Sequence, residues 1–167
     1  MSPETKAAIL GAVVGAAIAL VSQATFAIVA MFRGRRVAAS MIYAELITNY
    51  ANASAALNGL GWPAIESSAS RAAWDAYGGR LLLPWNRAHD VGAVAMAYNR
   101  IDDIAWYDSK HGIERDSEDQ ADFSKYELDI QEALYVTGRA AGYSDRDLAN
   151  RGIPIAEVRA RQRERGR

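Results

Sequence analysis

Few residues in this chain have the types and spacing that chemistry needs. There are two histidines, His89 and His111, and no cysteine. His89 precedes Asp90, a pairing that serves as metal ligands in some hydrolases, but no second His/Asp cluster completes such a site. His111 stands alone in a polar stretch, and the G-x-S-x-G, Walker and H-E-x-x-H patterns are all absent. Without thiols there are no disulfides or thiolate metal sites, which suits a domain facing reducing cytosol. The expectation is a chain with no catalytic residue, no metal ligand set and no cofactor.

Three polar features remain. Glu45 and Asn49 lie one helical turn apart beside an apolar stripe. They read either as a buried polar pair that fixes packing or contacts a partner, since buried polar groups must find bonds, or as a water-facing helix edge. From Asp102 to Glu132 eleven acids stand against Lys110, Arg115 and Lys125, a local net charge of −8. Glu114 to Asp119 lacks the glycine turn and the bidentate glutamate of a calcium loop. A solvated helical face, repelled by anionic lipid and pointing away from it, is the simpler reading. From Arg151 to Arg167 six arginines oppose Glu157 and Glu164, for a net of +4. Low apolar content argues against a core role for this basic tail, carried by Arg159, Arg161, Arg163, Arg165 and Arg167. It suits an acidic protein surface, the chain's own acids included, or anionic lipid. No aromatic accompanies it to stack on bases, so no nucleic acid is expected.

The elements that must position these residues begin with a span. Ala7 to Phe32 is a run of 26 residues without a charge, where about 20 suffice to cross a bilayer. Arg33, Arg35 and Arg36 come directly after it at the expected membrane interface and, by the positive-inside rule, keep residues 33–167 cytoplasmic. A cleaved signal peptide would need a basic start and a shorter apolar run. A buried core helix is the other alternative. Ala7, Gly11, Gly15, Ala19, Gln23 and Ala27 recur at intervals of four and include a G-x-x-x-G. That stripe lets two backbones approach closely in lipid, with Gln23 placed to bond across the interface; chance composition explains it as well.

Beyond the span the periodicity is helical throughout. Val37–Leu60 carries Met41, Ile42, Leu46, Ala53, Leu57 and Leu60 on one stripe. A segment from Ile65 to Tyr77 comes next, ended or kinked by Gly78-Gly79, with a helical continuation through Leu83 as the alternative. A longer helix runs from Pro84 or Asn86 to about Lys110, with Val94, Tyr98, Ile101 and Ile104 facing inward. A capping box at Ser117–Gln120 opens a last long helix to about Ala141, stopped by Gly142, and Ser144–Asp147 caps a short turn. No strand pattern is sustained.

The span, the arginine stop, the helix with Ala44-Glu45-Leu46-Ile47-Thr48-Asn49, the W-x-x-Y of Trp74 to Tyr77 and Ala97 to Ile101 together resemble small bacterial and phage single-pass membrane proteins of unknown function. The resemblance covers roughly Ala7 to Ile104 and implies a fold type and no activity. Arginine and alanine richness also fits a high-GC bacterial or phage source.

The fold class predicted is all-α. A short extracytoplasmic N-terminus (1–6) leads into one transmembrane helix (7–32), a cytoplasmic three- to four-helix bundle (33–143), and a short helix with a basic C-terminal tail (144–167). The expected place is a bacterial cytoplasmic membrane, and the expected partners are the bilayer and either a second copy or another membrane protein. The leading function is a membrane-anchored interaction module, either scaffold or accessory subunit, associating through its span. The alternative is a phage or host-defence effector that perturbs the bilayer by oligomerising.

Overall fold

In the computed structural model, residues 2–58, 69–81, 88–111 and 117–164 are described, with the side chains of 6–8, 57, 88, 110–111 and 117–124 excepted. All regular structure among them is helical: α1 (Pro3–Leu57), α2 (Ala72–Leu81), α3 (Ala88–His111), α4 (Ser117–Ala141), α5 (Asp145–Ala149) and α6 (Ile155–Glu164). The chain divides into two units, Met1–Gly34 and Arg35–Arg167.

The first unit is the start of α1. No Pro or Gly–Pro break interrupts it, and its side chains are unshielded: Leu20, Val21 and Phe26 are 67%, 68% and 76% exposed. Thr25 turns its hydroxyl inward and donates to the Val21 carbonyl at 2.8 Å, leaving little polarity on the surface. This is the one described helix long and apolar enough to cross a membrane.

The second unit is a bundle whose directions can be read from paired contacts. The first turn of α2 meets Glu45 of α1. Leu81, at the far end of α2, shares a small cavity with Arg35. So α2 runs back against α1. Asp90 and Val94 of α3 line that same cavity, and Tyr98 reaches Glu45, so α3 runs with α1. Tyr50 meets Glu127 near the middle of α4, while Arg36, earlier in α1, meets Ala141 at the C-terminal end of α4, so α4 runs back. The result is an up-down-up-down bundle, the arrangement that short connections favour. Its core holds Ile42 and Leu46 of α1, Val94, Ile101 and Ile104 of α3, and Ile130 and Leu134 of α4. Met41, expected on the buried stripe, is exposed instead, because the stripe's inner edge runs through Ala38, Ile42 and Leu46.

Two expectations need correction. The helix expected from Ile65 to Tyr77 begins only at Ala72, with Ala69 and Ser70 in non-helical backbone (65–68 lie outside the described residues). Of the two readings of Gly78-Gly79, the continuing helix is the one found, as far as Leu81. Gly78 is tolerated because the Trp74 indole lies over it, where a Cβ would sit 3.1 Å from Cε3. The basic tail, read as having no core role, folds as α6. Val158 is fully buried and Ile153 nearly so, and both join the main core cluster. Three apolar residues, Ile153, Ile155 and Val158, suffice to dock a ten-residue helix against α4 when ion pairs help.

The expected stop after α4 and the cap of α5 hold. Gly142 adopts φ +98°, the left-handed conformation that ends many helices. Ser144 and Asp147 form a reciprocal capping box at α5. α4 opens at Ser117, although the side chains of that box lie outside the described ones.

Candidate functional site

The expected polar pair sits at the centre of a hydrogen-bond network joining three helices. Glu45 and Asn49 are four residues apart, so α1 aims both at one turn of its neighbour. The Glu45 carboxylate accepts from the Ala73 amide at 2.7 Å, from the Ser70 hydroxyl at 2.9 Å and, more weakly, from the Trp74 amide at 3.4 Å. Ala73 and Trp74 lie in the first turn of α2, whose amides have no partner within their own helix. A side chain from α1 therefore caps α2, and its negative charge also suits that end of the helix dipole. Asn49, 1% exposed, grips the backbone of Ser70 twice: Nδ2 donates to the carbonyl at 2.7 Å and Oδ1 accepts from the amide at 3.2 Å.

The Tyr98 hydroxyl of α3 completes the network, donating to Glu45 Oε1 at 2.5 Å. Burial, and then the carboxylate it donates to, hold this phenol well above the usual tyrosine range. Its ring packs on Trp74, centroids 5.6 Å apart, and the Arg71 guanidinium lies 5.7 Å from its centre. Arg71 in turn pairs with Asp102 at 2.9 Å. Desolvation raises the Asp102 carboxyl, and Arg71 opposes that rise. Alongside runs a surface groove of about 460 Å³, lined by Met41, Ala44, Thr48, Ser70, Ala72 and Tyr77 among others. With its oxygens engaged by amides and hydroxyls, Glu45 works here as a cap and a tether.

A second network ties the basic tail to the acidic region. Arg161 of α6 pairs with Asp129 and approaches Glu132 at 3.9 Å. Both acids are buried, and Arg100 of α3 reaches Asp129 from the other side at 3.3 Å. Arg159 pairs with Asp145 and donates to the Tyr135 hydroxyl at 3.3 Å. Arg163 bonds to the Arg159 carbonyl at 3.3 Å, and Arg165 and Arg167 lie outside the described residues. Of the two binding surfaces expected for the tail, its own chain's acids thus occupy Arg159 and Arg161. The partners come from α5 and α4 respectively.

The remaining expected residues are dispersed. In the first unit Gly11 and Gly15 have nothing within 4 Å of where a Cβ would stand, and Gln23 and Ala19 are exposed. Arg33 is exposed in that unit. Arg36 donates from Nε to the Ala141 carbonyl at 2.8 Å, satisfying the end of α4, and Arg35 is half-buried. His89 is exposed beside a half-buried Asp90, and the side chain of His111 lies outside the described ones. Among the described residues no three His, Asp or Glu side chains gather as metal ligands would. Sequence reasoning missed Tyr98 as the third member of the Glu45 network and Arg100 as the bridge between α3 and Asp129. Tyr98 was visible only as a core position.

No protein-family model, curated protein or solved structure matches this chain.

Proposed function

We propose that this protein is a membrane-anchored helical interaction module, a scaffold or accessory subunit rather than an enzyme. Residues 7–32 form its single span, with the second unit on the cytoplasmic side. The observation that carries this reading is the unshielded apolar surface of α1 in the first unit, where Leu10, Leu20, Val21 and Phe26 are 66%, 67%, 68% and 76% exposed. An apolar surface of that extent needs a cover, and a bilayer provides one along the whole length. Arg33, Arg35 and Arg36 favour the cytoplasmic side for the residues after the span. The interaction role draws on the second unit, where Glu45, Asp129 and Asp145 are committed to caps and ion pairs that hold the bundle together.

Association is assigned to the face bearing Gly11, Gly15, Ala19 and Gln23. Gly11 and Gly15 leave backbone open to an approaching helix. The partner is a second copy or another membrane protein. The test is purification of the tagged full-length chain in mild detergent, with the mass and composition of the complex determined. A homo-oligomer or a stoichiometric membrane partner supports the module. A monomer that resists alkaline extraction from membranes leaves only the anchor. Release by alkaline extraction removes the anchor as well.

A further inference from the structure

The second unit is polarised in charge along its own helices. At the end where the chain enters it stand Arg35 and Arg36 of α1, Arg139 in the last turn of α4, Arg146 on α5 and Arg151 just beyond. The fold gathers them at one corner. Arg36 holds the Ala141 carbonyl, and Arg139 Nη1 donates to the Tyr143 carbonyl at 3.1 Å. The Arg151 guanidinium lies 4.5 Å from the Tyr143 ring centre and 5.7 Å from that of Tyr43. Those two rings are 5.1 Å apart, so the corner has one shared aromatic base. Arg36, Arg139, Arg146 and Arg151 are all exposed. Among the described residues Asp90, Asp145, Asp147 and Glu157 share this end, Glu157 exposed in the first turn of α6. Asp145 is met by Arg139 at 3.4 Å and by Arg159. Asp147 is held by Ser144 in the capping box, and Asp90 is half-buried. Asp102, Asp103 and Asp108 lie toward the opposite end of α3, and Glu127 toward that end of α4.

We infer that this corner binds the phosphates of anionic phospholipid headgroups, and that it, not the C-terminal tail, is the lipid-contacting surface of the unit. The inference rests on reading residues 7–32 as a span. Arg35 and Arg36 follow Phe32, the last residue of the proposed span, by three and four positions. Guanidinium groups suit phosphate because their fork of N–H donors matches phosphate oxygens, and stacking on tyrosine pre-orders Arg151 without using those donors. The tail is a poorer choice because Arg159 and Arg161 already neutralise Asp145 and Asp129. The distant acids complete the field, since anionic lipid attracts the basic end and repels the other.

The chain has no cysteine, so Ala149→Cys on α5 gives one labelling site. The labelled full-length protein is placed in nanodiscs of phosphatidylcholine, with or without roughly one-third phosphatidylglycerol, and quenched from headgroup-attached nitroxide. Quenching is expected to rise about twofold with the anionic lipid and to fall again in high salt. The rise should vanish in Arg146→Gln/Arg151→Gln, return in Arg146→Lys/Arg151→Lys, and be absent for a label at Ser109→Cys on α3. Equal quenching in both lipids, an equal response at Ser109→Cys, or persistence in the glutamine pair overturns the inference. Failure to insert into nanodiscs at all overturns the span reading, and the lipid corner with it.

Discussion

Glu45 Oε2 lies 2.7 Å from the backbone nitrogen of Ala73, so the first turn of α2 is capped by a side chain from α1. Helices usually carry their caps in their own sequence. Here the start of α2 takes its cap from α1. Glu45→Ala is expected to destabilise the bundle by roughly 2–4 kcal/mol, since it strips the cap and leaves the Tyr98 hydroxyl without its acceptor. Thermal unfolding by circular dichroism in mild detergent checks this. Loss of the near-ultraviolet component that Trp74→Phe removes, before the main transition, would show α2 detaching first.

Tyr98 gives a pH dependence with a definite sign. Its hydroxyl is held protonated above the usual tyrosine range, by burial first and the Glu45 carboxylate second. The unfolded chain would ionise it near pH 10. Above that pH the unfolded state binds fewer protons than the folded one, so stability falls as pH rises. Its contribution is complete below about pH 10 and is lost above it. Tyr50, raised by burial and by Glu127, adds in the same direction. Tyr98→Phe should lower stability at neutral pH and flatten its alkaline decline. Tyrosinate absorbance followed alongside unfolding reads both.

Gly142 and Gly152 separate backbone strain from crowding. Both have positive φ, +98° and +84°. An added Cβ at Gly142 would meet Arg36 Nη2 at 2.7 Å, whereas at Gly152 it meets nothing within 4 Å. Gly152→Ala should cost about 1–2 kcal/mol, the left-handed penalty alone. Gly142→Ala should cost more. The excess should shrink when Arg36→Ala is combined with it, the non-additivity expected of touching residues.

Arg161→Ala leaves Glu132 and Asp129 buried with less cationic compensation, although Arg100 remains beside Asp129. A loss of about 2–3 kcal/mol is expected, below the full effect of breaking a buried pair because Arg100 persists. Arg163→Ala, on an exposed position, should change stability by no more than about 0.5 kcal/mol. Limited proteolysis should cut α6 faster in the first variant only.

Gly11→Ile with Gly15→Ile tests the span. A Cβ at either position would meet nothing within 4 Å, so a loss of cross-linking would point to a neighbouring molecule. Cross-linking in membranes is expected to fall markedly, and an unchanged yield would leave the small-residue stripe without a role.

The long helices were legible because their apolar residues recur at helical spacing and their ends carry local signals: Gly142 after α4, Ser144 and Asp147 around α5. The start of α2 was not, because its cap comes from a residue 28 positions earlier. Glu45 and Asn49 could be seen as one turn apart, but whether they faced water or protein depended on Ser70 and Tyr98, which local spacing does not place. Docking of the tail on the chain's own acids was among the expectations, but its share in the core, through Ile153 and Val158, escaped for a related reason. Arginine-rich composition describes a solvated end until buried carboxylates from another helix are set against it.

The bond from Arg36 to Ala141 joins positions 105 residues apart. Synthesis at roughly 5–20 residues per second puts on the order of ten seconds between the two. During that interval residues 7–32 have already left the ribosome, while the bundle that Arg36 closes has no fourth helix. On the proposed reading of residues 7–32 as a span, membrane insertion has time to precede folding of the rest, and a nascent chain would be tethered before its core can assemble. Chains stalled before residue 141 should therefore be membrane-bound and protease-sensitive, an intermediate defined by the ribosome's clock and not by denaturant.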